Sequence, residues 1–275
     1  MNIGIVGLGL MGGSFAKVVK KYNISTSVLG FDHNMQHQET ALSLDLVDKF
    51  ISVEELKKCD LIVLAIPVDS IIKFLENLGE VPKTTTIIDF GGTKELIVQN
   101  VPQHLKSNFI PAHPMTGTEK FGPSAAIDKL YEDKIIVLCD LDVCDTIHKE
   151  KVVKIFETIK MKIVYMNSKE HDIHASYMSH LPHAISYALA STVMKHQDPK
   201  NITLLAAGGF KDMSRIAKSS PQMWTDIFKQ NKTNILEGID LFEEQMSNIR
   251  QMLENDDYEN ITKWMTKANS LHDIL

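Results

Sequence analysis

The chain is 275 residues long, 44% hydrophobic and carries a formal net charge of −6, enough material for one large or two modest domains. The acidic balance disfavours nucleic acid as a partner, and no apolar run reaches the roughly 18 residues that a membrane span needs. The first residues already read as a core strand, so no signal peptide is expected and the expected location is cytoplasmic.

That first strand, Ile3-Gly4-Ile5-Val6, runs directly into Gly7-Leu8-Gly9-Leu10-Met11-Gly12. In a dinucleotide site the first glycine of Gly-x-Gly-x-x-Gly permits the tight turn, the second lets backbone amides approach a pyrophosphate, and the third lets the next helix pack on the strand. The helix is expected from near Gly13, over 14–21, with its N-terminus toward the phosphates. The next predicted strand, 27–31, ends on Asp32, twenty residues after Gly12. A carboxylate there accepts from both ribose hydroxyls and repels the extra phosphate of NADP, so NAD is the expected cofactor.

Strands are then expected at 61–66, 85–90, 108–112, 134–139 and 162–166, separated by helices that include 70–78 and 145–159. Strands alternating with helices imply a Rossmann-type α/β domain over 1–166 with a mostly parallel sheet. Ile66 and Pro67, at the end of a central strand, are expected to wall the dinucleotide. Cys59, Cys139 and Cys144 form no C-x-x-C pair and read as buried reduced thiols.

Beyond residue 167 the strand signals stop. Helical stretches at 169–195, 199–218, 221–254 and 257–275 give an all-α domain over 167–275. In the third stretch Ile235, Ile239, Phe242, Met246, Ile249 and Leu253 step by 4, 3, 4, 3 and 4, a period of 3.5. Such a seam serves as internal core or as a homodimer contact.

Three polar constellations remain. His113-Pro114-Met115-Thr116-Gly117 follows a strand expected to end at Ala112. Ligands of open α/β sheets bind beyond the carboxyl ends of strands, so a loop histidine there is either a solvated group or a catalytic one. His171-Asp172-x-His174 and Ser179-His180-Leu181-Pro182-His183 put four histidines on one predicted helix. At about 100° per residue, His171 and His180 fall on opposite sides, as do His174 and His183. No metal is therefore expected, and His180 and His183 read as lining a cleft between the domains. Finally, Arg215 sits at i+3 from Asp212, as a surface ion pair or as a carboxylate clamp.

Taken in order, Gly7–Ser14, Asp89-Phe90-Gly91-Gly92-Thr93-Lys94, His113-Pro114-Met115-Thr116-Gly117-Thr118-Glu119, Ser179-His180-Leu181-Pro182-His183 and Gly209-Phe210-Lys211-Asp212 through Arg215-Ile216-Ala217 resemble the prephenate and arogenate dehydrogenases of tyrosine biosynthesis. The resemblance implies NAD-dependent oxidative decarboxylation of prephenate, or of arogenate, with His113 accepting the proton of the ring hydroxyl. It implies Arg215 as the carboxylate-binding residue, His180 and His183 as pocket histidines, Glu119 and Asp212 as acids of a charged network at the pocket entrance, Trp224 as an aromatic near the site, and a homodimer joined through the helical domain. Many members carry a serine where this chain has Gly92, which leaves the adjacent Thr93 as the candidate replacement hydroxyl. No mutase or regulatory segment is expected, so tyrosine feedback would act at the active site. A β-hydroxyacid or imine reductase and a non-enzymatic NAD sensor are the competing readings. The β-hydroxyacid enzymes call for a lysine early in the helical domain, where this chain has His180 and His183.

Overall fold

The computed structural model describes residues 1–274. The last expected helix extends to Leu275, which lies outside the described residues. Strands β1 (Asn2–Val6), β2 (Ser27–Phe31), β3 (Lys49–Phe50), β4 (Leu61–Leu64), β5 (Thr86–Asp89), β6 (Phe109–Pro114), β7 (Ile135–Cys139) and β8 (Lys162–Met166) form one sheet in the order β3-β2-β1-β4-β5-β6-β7-β8. All neighbouring pairs are parallel except β6 with β7. The order reverses between β1 and β4, the switch point at which doubly wound sheets open a ligand crevice beyond their carboxyl ends.

Interleaved with the strands are α1 (Leu10–Lys21), α2 (Met35–Ser43), α3 (Val53–Leu56), α4 (Val68–Leu78), α5 (Glu95–Gln99) and α6 (Thr146–Thr158). After β8 come α7 (Ser168–Ala175), α8 (Leu181–His196), α9 (Pro199–Leu205), α10 (Gly208–Ser214), α11 (Pro221–Gln230), α12 (Lys232–Glu254) and α13 (Tyr258–Asn269). The helical region thus follows the sheet in sequence. The chain forms two compact units, Met1–Asn231 and Lys232–Leu275.

The strands are apolar on both faces because helices cover both. The period-two alternation of β4 sends Leu61 and Val63 into a core with Phe15, Val152 and Phe156 of α1 and α6, and sends Ile62 and Leu64 into a second core with Ile71 and Leu75 of α4. Each such side chain contributes about 1.5–3 kcal/mol on burial. The three cysteines are free and buried.

Two boundaries differ from the sequence expectation in ways that matter for the site. Helix α1 starts at Leu10, with Gly9 as its N-cap. The start is earlier than the expected one near Gly13, and Gly12, now inside the helix, is glycine because a Cβ there would come 2.0 Å from the Gly7 carbonyl oxygen. Strand β6 does not stop at Ala112. Its first half pairs with β5 and its second half, Ala112–Pro114, pairs with β7, so His113 stands on a strand held by a neighbour rather than on a loop.

Candidate active site

The glycine turn fits a dinucleotide. Gly7 has φ +89°, and a Cβ on it would lie 2.6 Å from the Ala65 carbonyl oxygen and 2.7 Å from Ile66 Cγ2. Around Gly9, in contrast, a Cβ would meet nothing nearer than the Gly122 nitrogen at 4.0 Å. The N-terminus of α1 carries no side-chain cap and no acid in its first turn, which leaves its N–H groups for an anion. Asp32 faces this turn: Oδ2 accepts from the Leu8 N–H at 3.0 Å, and Oδ1 accepts from the Asn34 N–H at 2.9 Å. Ile66 is half-buried, and exposed Pro67 caps α4. Leu10 is buried, whereas Met11 is half-buried and its carbonyl accepts from Tyr131 Oη at 2.6 Å.

The loop after β5 is stapled to β6 by one fully buried acid. Asp89 Oδ1 accepts from the Ala112 N–H at 3.2 Å, and Oδ2 accepts from the Gly91 N–H at 3.0 Å and from the Lys94 ammonium. Burial pushes the Asp89 carboxyl up, while Lys94 and the two amides pull it back. The staple sits one residue before His113.

His113 Nδ1 meets His171 Nε2 at 2.8 Å, and His171 Nδ1 meets Asp172 Oδ1 at 2.8 Å. Burial first, then His171, Lys94 and His180, hold the His113 imidazole well below the usual histidine range, so it is neutral at pH 7. A five-residue π-helical turn, Ser176–His180, separates α7 from α8. It breaks the 100° spacing that puts His171 and His180 on opposite faces, and both histidines act on His113. His180 does not line an open cleft. It is buried, with Nδ1 3.0 Å from Asn231 Nδ2, a ring hydrogen bond to the Gly92 backbone, and a pKa pushed down to about 4, chiefly by burial.

Next to it Trp224 stacks on His183, with ring centroids 3.5 Å apart and planes at 22°, and meets His180 edge-on. The Trp224 indole N–H is buried with no hydrogen-bond partner among the described residues. His183 Nδ1 lies 2.9 Å from the Ser179 carbonyl, and Arg215 is near enough to lower its pKa after burial has done so. Arg215 pairs through Nη1 with Glu119 at 3.1 Å, not with Asp212. Asp212 is exposed and in no ion pair among the described residues. Thr93 is fully buried, and its hydroxyl donates to Gln230 Oε1 at 2.6 Å, so the structure does not bring it to the His113 ring.

Sequence reasoning weighed His171 only as a metal ligand and passed over Asp172 and Asn231. The adjacent His171-Asp172 pair was the one visible signal.

Residues 15–165 match the family described as the prephenate dehydrogenase nucleotide-binding domain, and residues 167–267 match the prephenate dehydrogenase dimerization domain. The chain belongs to the prephenate dehydrogenase family. Among prephenate dehydrogenases, that of Bacillus subtilis (strain 168) is 34% identical over 98% of this chain and 75% of its own length. A cyclohexadienyl dehydrogenase of Zymomonas mobilis is 28% identical over 93% of this chain and 89% of its own. The crystal structure of Aquifex aeolicus prephenate dehydrogenase with hydroxyphenyl propionate and NAD+ superposes with a TM-score of 0.91 at 30% identity, covering 99% of this chain and 97% of that one.

Proposed function

We propose that the chain is an NAD-dependent prephenate dehydrogenase, converting prephenate to 4-hydroxyphenylpyruvate and carbon dioxide in tyrosine biosynthesis. The observation that carries this reading is His113, held on β6 by His171 and beside the Asp89 staple, in a chain that matches the family across both of its domains.

NAD, when bound, supplies the hydride acceptor. Gly7, Leu8, Gly9, Leu10, Met11 and Gly12 form its turn, Asp32 receives the ribose hydroxyls, and Ile66 and Pro67 wall it. His113 takes the proton of the ring hydroxyl as the hydride departs, a role that needs an unprotonated imidazole at working pH. Loss of the ring carboxylate as carbon dioxide makes the ring aromatic, which drives the reaction one way. Arg215 supplies positive charge for a substrate carboxylate. Its guanidinium has five N–H donors, and the Glu119 contact engages one nitrogen. His183 and Trp224 give the stacked wall of the pocket, with the unpartnered indole N–H as a donor, and His180 holds the Gly92 backbone beneath it.

The helical half, 167–275, is read as the substrate-binding and dimerisation part of a homodimer. On α12 only Ile235 of the six seam residues is buried, and Met246 and Leu253 are 54% and 55% exposed, which leaves the seam for a second copy. Met246→Glu converting a dimer to a monomer on light scattering supports this; an unchanged mass counts against it. Free buried thiols suit a reducing cytoplasm, and among the described residues no helix is long and apolar enough to cross a membrane.

The relative named cyclohexadienyl dehydrogenase favours a second reading, in which arogenate is also oxidised. NADH or NADPH formation with prephenate and with arogenate, each supplied with NAD or NADP, separates the two. Turnover of prephenate with NAD is expected, and silence in all four mixtures would overturn the reading.

A further inference from the structure

We propose that His171 and Asp172 are positioning residues that fix His113 as its Nδ1–H tautomer, leaving the Nε2 lone pair to take the substrate's proton. The proposal rests on the reading of His113 as the proton acceptor and adds which nitrogen acts and what selects it.

The argument is one of donors and acceptors, starting from the carboxylate. Asp172 Oδ1 accepts from the Lys94 N–H at 2.7 Å, and Oδ2 accepts from the Glu95 N–H at 2.9 Å. Both oxygens therefore act as acceptors, and a carboxylate can only accept. The 2.8 Å contact between Asp172 Oδ1 and His171 Nδ1 therefore requires the hydrogen on His171 Nδ1. An imidazole carrying a single ring hydrogen has one donor and one acceptor nitrogen, so with its Nδ1–H given to Asp172 the His171 Nε2 accepts. The 2.8 Å contact between His171 Nε2 and His113 Nδ1 then requires the hydrogen on His113 Nδ1.

The relay is dry and rigidly mounted. His171 and Asp172 are each 2% exposed. The Asp172 carbonyl accepts from Asn231 Nδ2 at 2.7 Å, and Asn167 caps α7 by accepting from the Glu170 N–H. Asp172 thus ties α5, α7 and the residue after α11 to a single ring. When the substrate O–H breaks, its proton goes to His113 Nε2 and the Nδ1–H stays donated to His171 Nε2. The Asp172 carboxylate stands behind the cation so formed. Other charged or titratable groups facing His113 are Lys94, neutralised by Asp89, and His180, kept neutral by burial. Neither is a hydrogen-bond partner of His113, so neither selects the tautomer.

Nitrogen-15 NMR of histidine-labelled protein at pH 8, with the His113 signals identified by their loss in His113→Asn, reads the tautomer directly and needs no substrate. Nδ1–H is expected in the wild type, and a shift toward Nε2–H is expected in His171→Leu. An Nε2–H ring in the wild type, or an unchanged ring in His171→Leu, would overturn the proposal. In turnover assays His171→Leu should lose about 100-fold in kcat with KM and NAD affinity little changed, and His171→Gln, whose amide oxygen can accept from Nδ1–H, should recover part of it. Wild-type kcat in His171→Leu would also overturn it. An Nδ1–H ring in a protein that oxidises neither prephenate nor arogenate would leave the tautomer assignment standing and sink the functional reading instead.

Discussion

Gly9 and Gly12 lie three residues apart on one turn and meet opposite surroundings: a Cβ at Gly12 would lie 2.0 Å from the Gly7 carbonyl oxygen, whereas one at Gly9 would find nothing within reach but the Gly122 nitrogen at 4.0 Å. Gly12 is required by the protein's own packing, and Gly9 by what the turn holds. Gly9→Ala should therefore keep the melting temperature of the cofactor-free protein and lose NAD affinity, while Gly12→Ala should lose stability itself. Calorimetry with and without NAD checks both, and equal destabilisation by the two variants would remove the distinction.

Lys94 and Asp89 are both fully buried. Removing one partner of such a pair leaves an uncompensated charge, at a cost of about 3–5 kcal/mol. Lys94→Met should show a loss of that order in urea denaturation, and because Asp89 also holds the Ala112 N–H, turnover should fall with it.

Four histidines, His113, His148, His180 and His183, are held below the ordinary histidine range, burial being the largest cause in each. The unfolded chain binds protons as pH falls through about 6.5, while the folded protein resists. Their contribution to stability is thus complete above pH 6.5 and declines toward the folded values. For His180, pushed down to about 4, the loss is about 3 kcal/mol between pH 6.5 and 4. Denaturation midpoints should hold from pH 7.5 to about 6.5 and fall from there to pH 5, and a profile flat down to pH 5 would contradict the buried neutral histidines.

Thr93 donates to Gln230, and Gln230 Nε2 donates to Asp69 at 2.7 Å. Thr93→Val should lower stability by about 1 kcal/mol through the buried partner left behind and leave kcat within a small factor. At Gly92 a Cβ would meet Ile227 Cδ1 at 3.4 Å, ordinary contact, so Gly92→Ser should fold normally. A large loss of kcat in Thr93→Val would return its hydroxyl to the chemistry.

Much of this was legible in the chain. The turn at Gly7–Gly12 follows β1 where the spacing puts it, Asp32 faces that turn, and β8 falls on the expected residues 162–166, because patterns of burial and turn chemistry are local. The two-residue β3, the one-turn α3 with its Ser52–Glu55 capping box and the polar α2 carry too little periodicity to be seen. The His113–His171–Asp172 relay was hidden for a different reason. It depends on β6 pairing with β7 beyond Ala112 and on α7 meeting the start of α5, long-range contacts set by tertiary packing.

The most direct test of the account is His113→Asn, assayed for NADH formation from prephenate and titrated with NAD in parallel. The account predicts a fall in kcat of about 100-fold or more with NAD affinity and the melting temperature retained. Turnover near the wild-type rate in a protein that still binds NAD would contradict His113 as the proton acceptor.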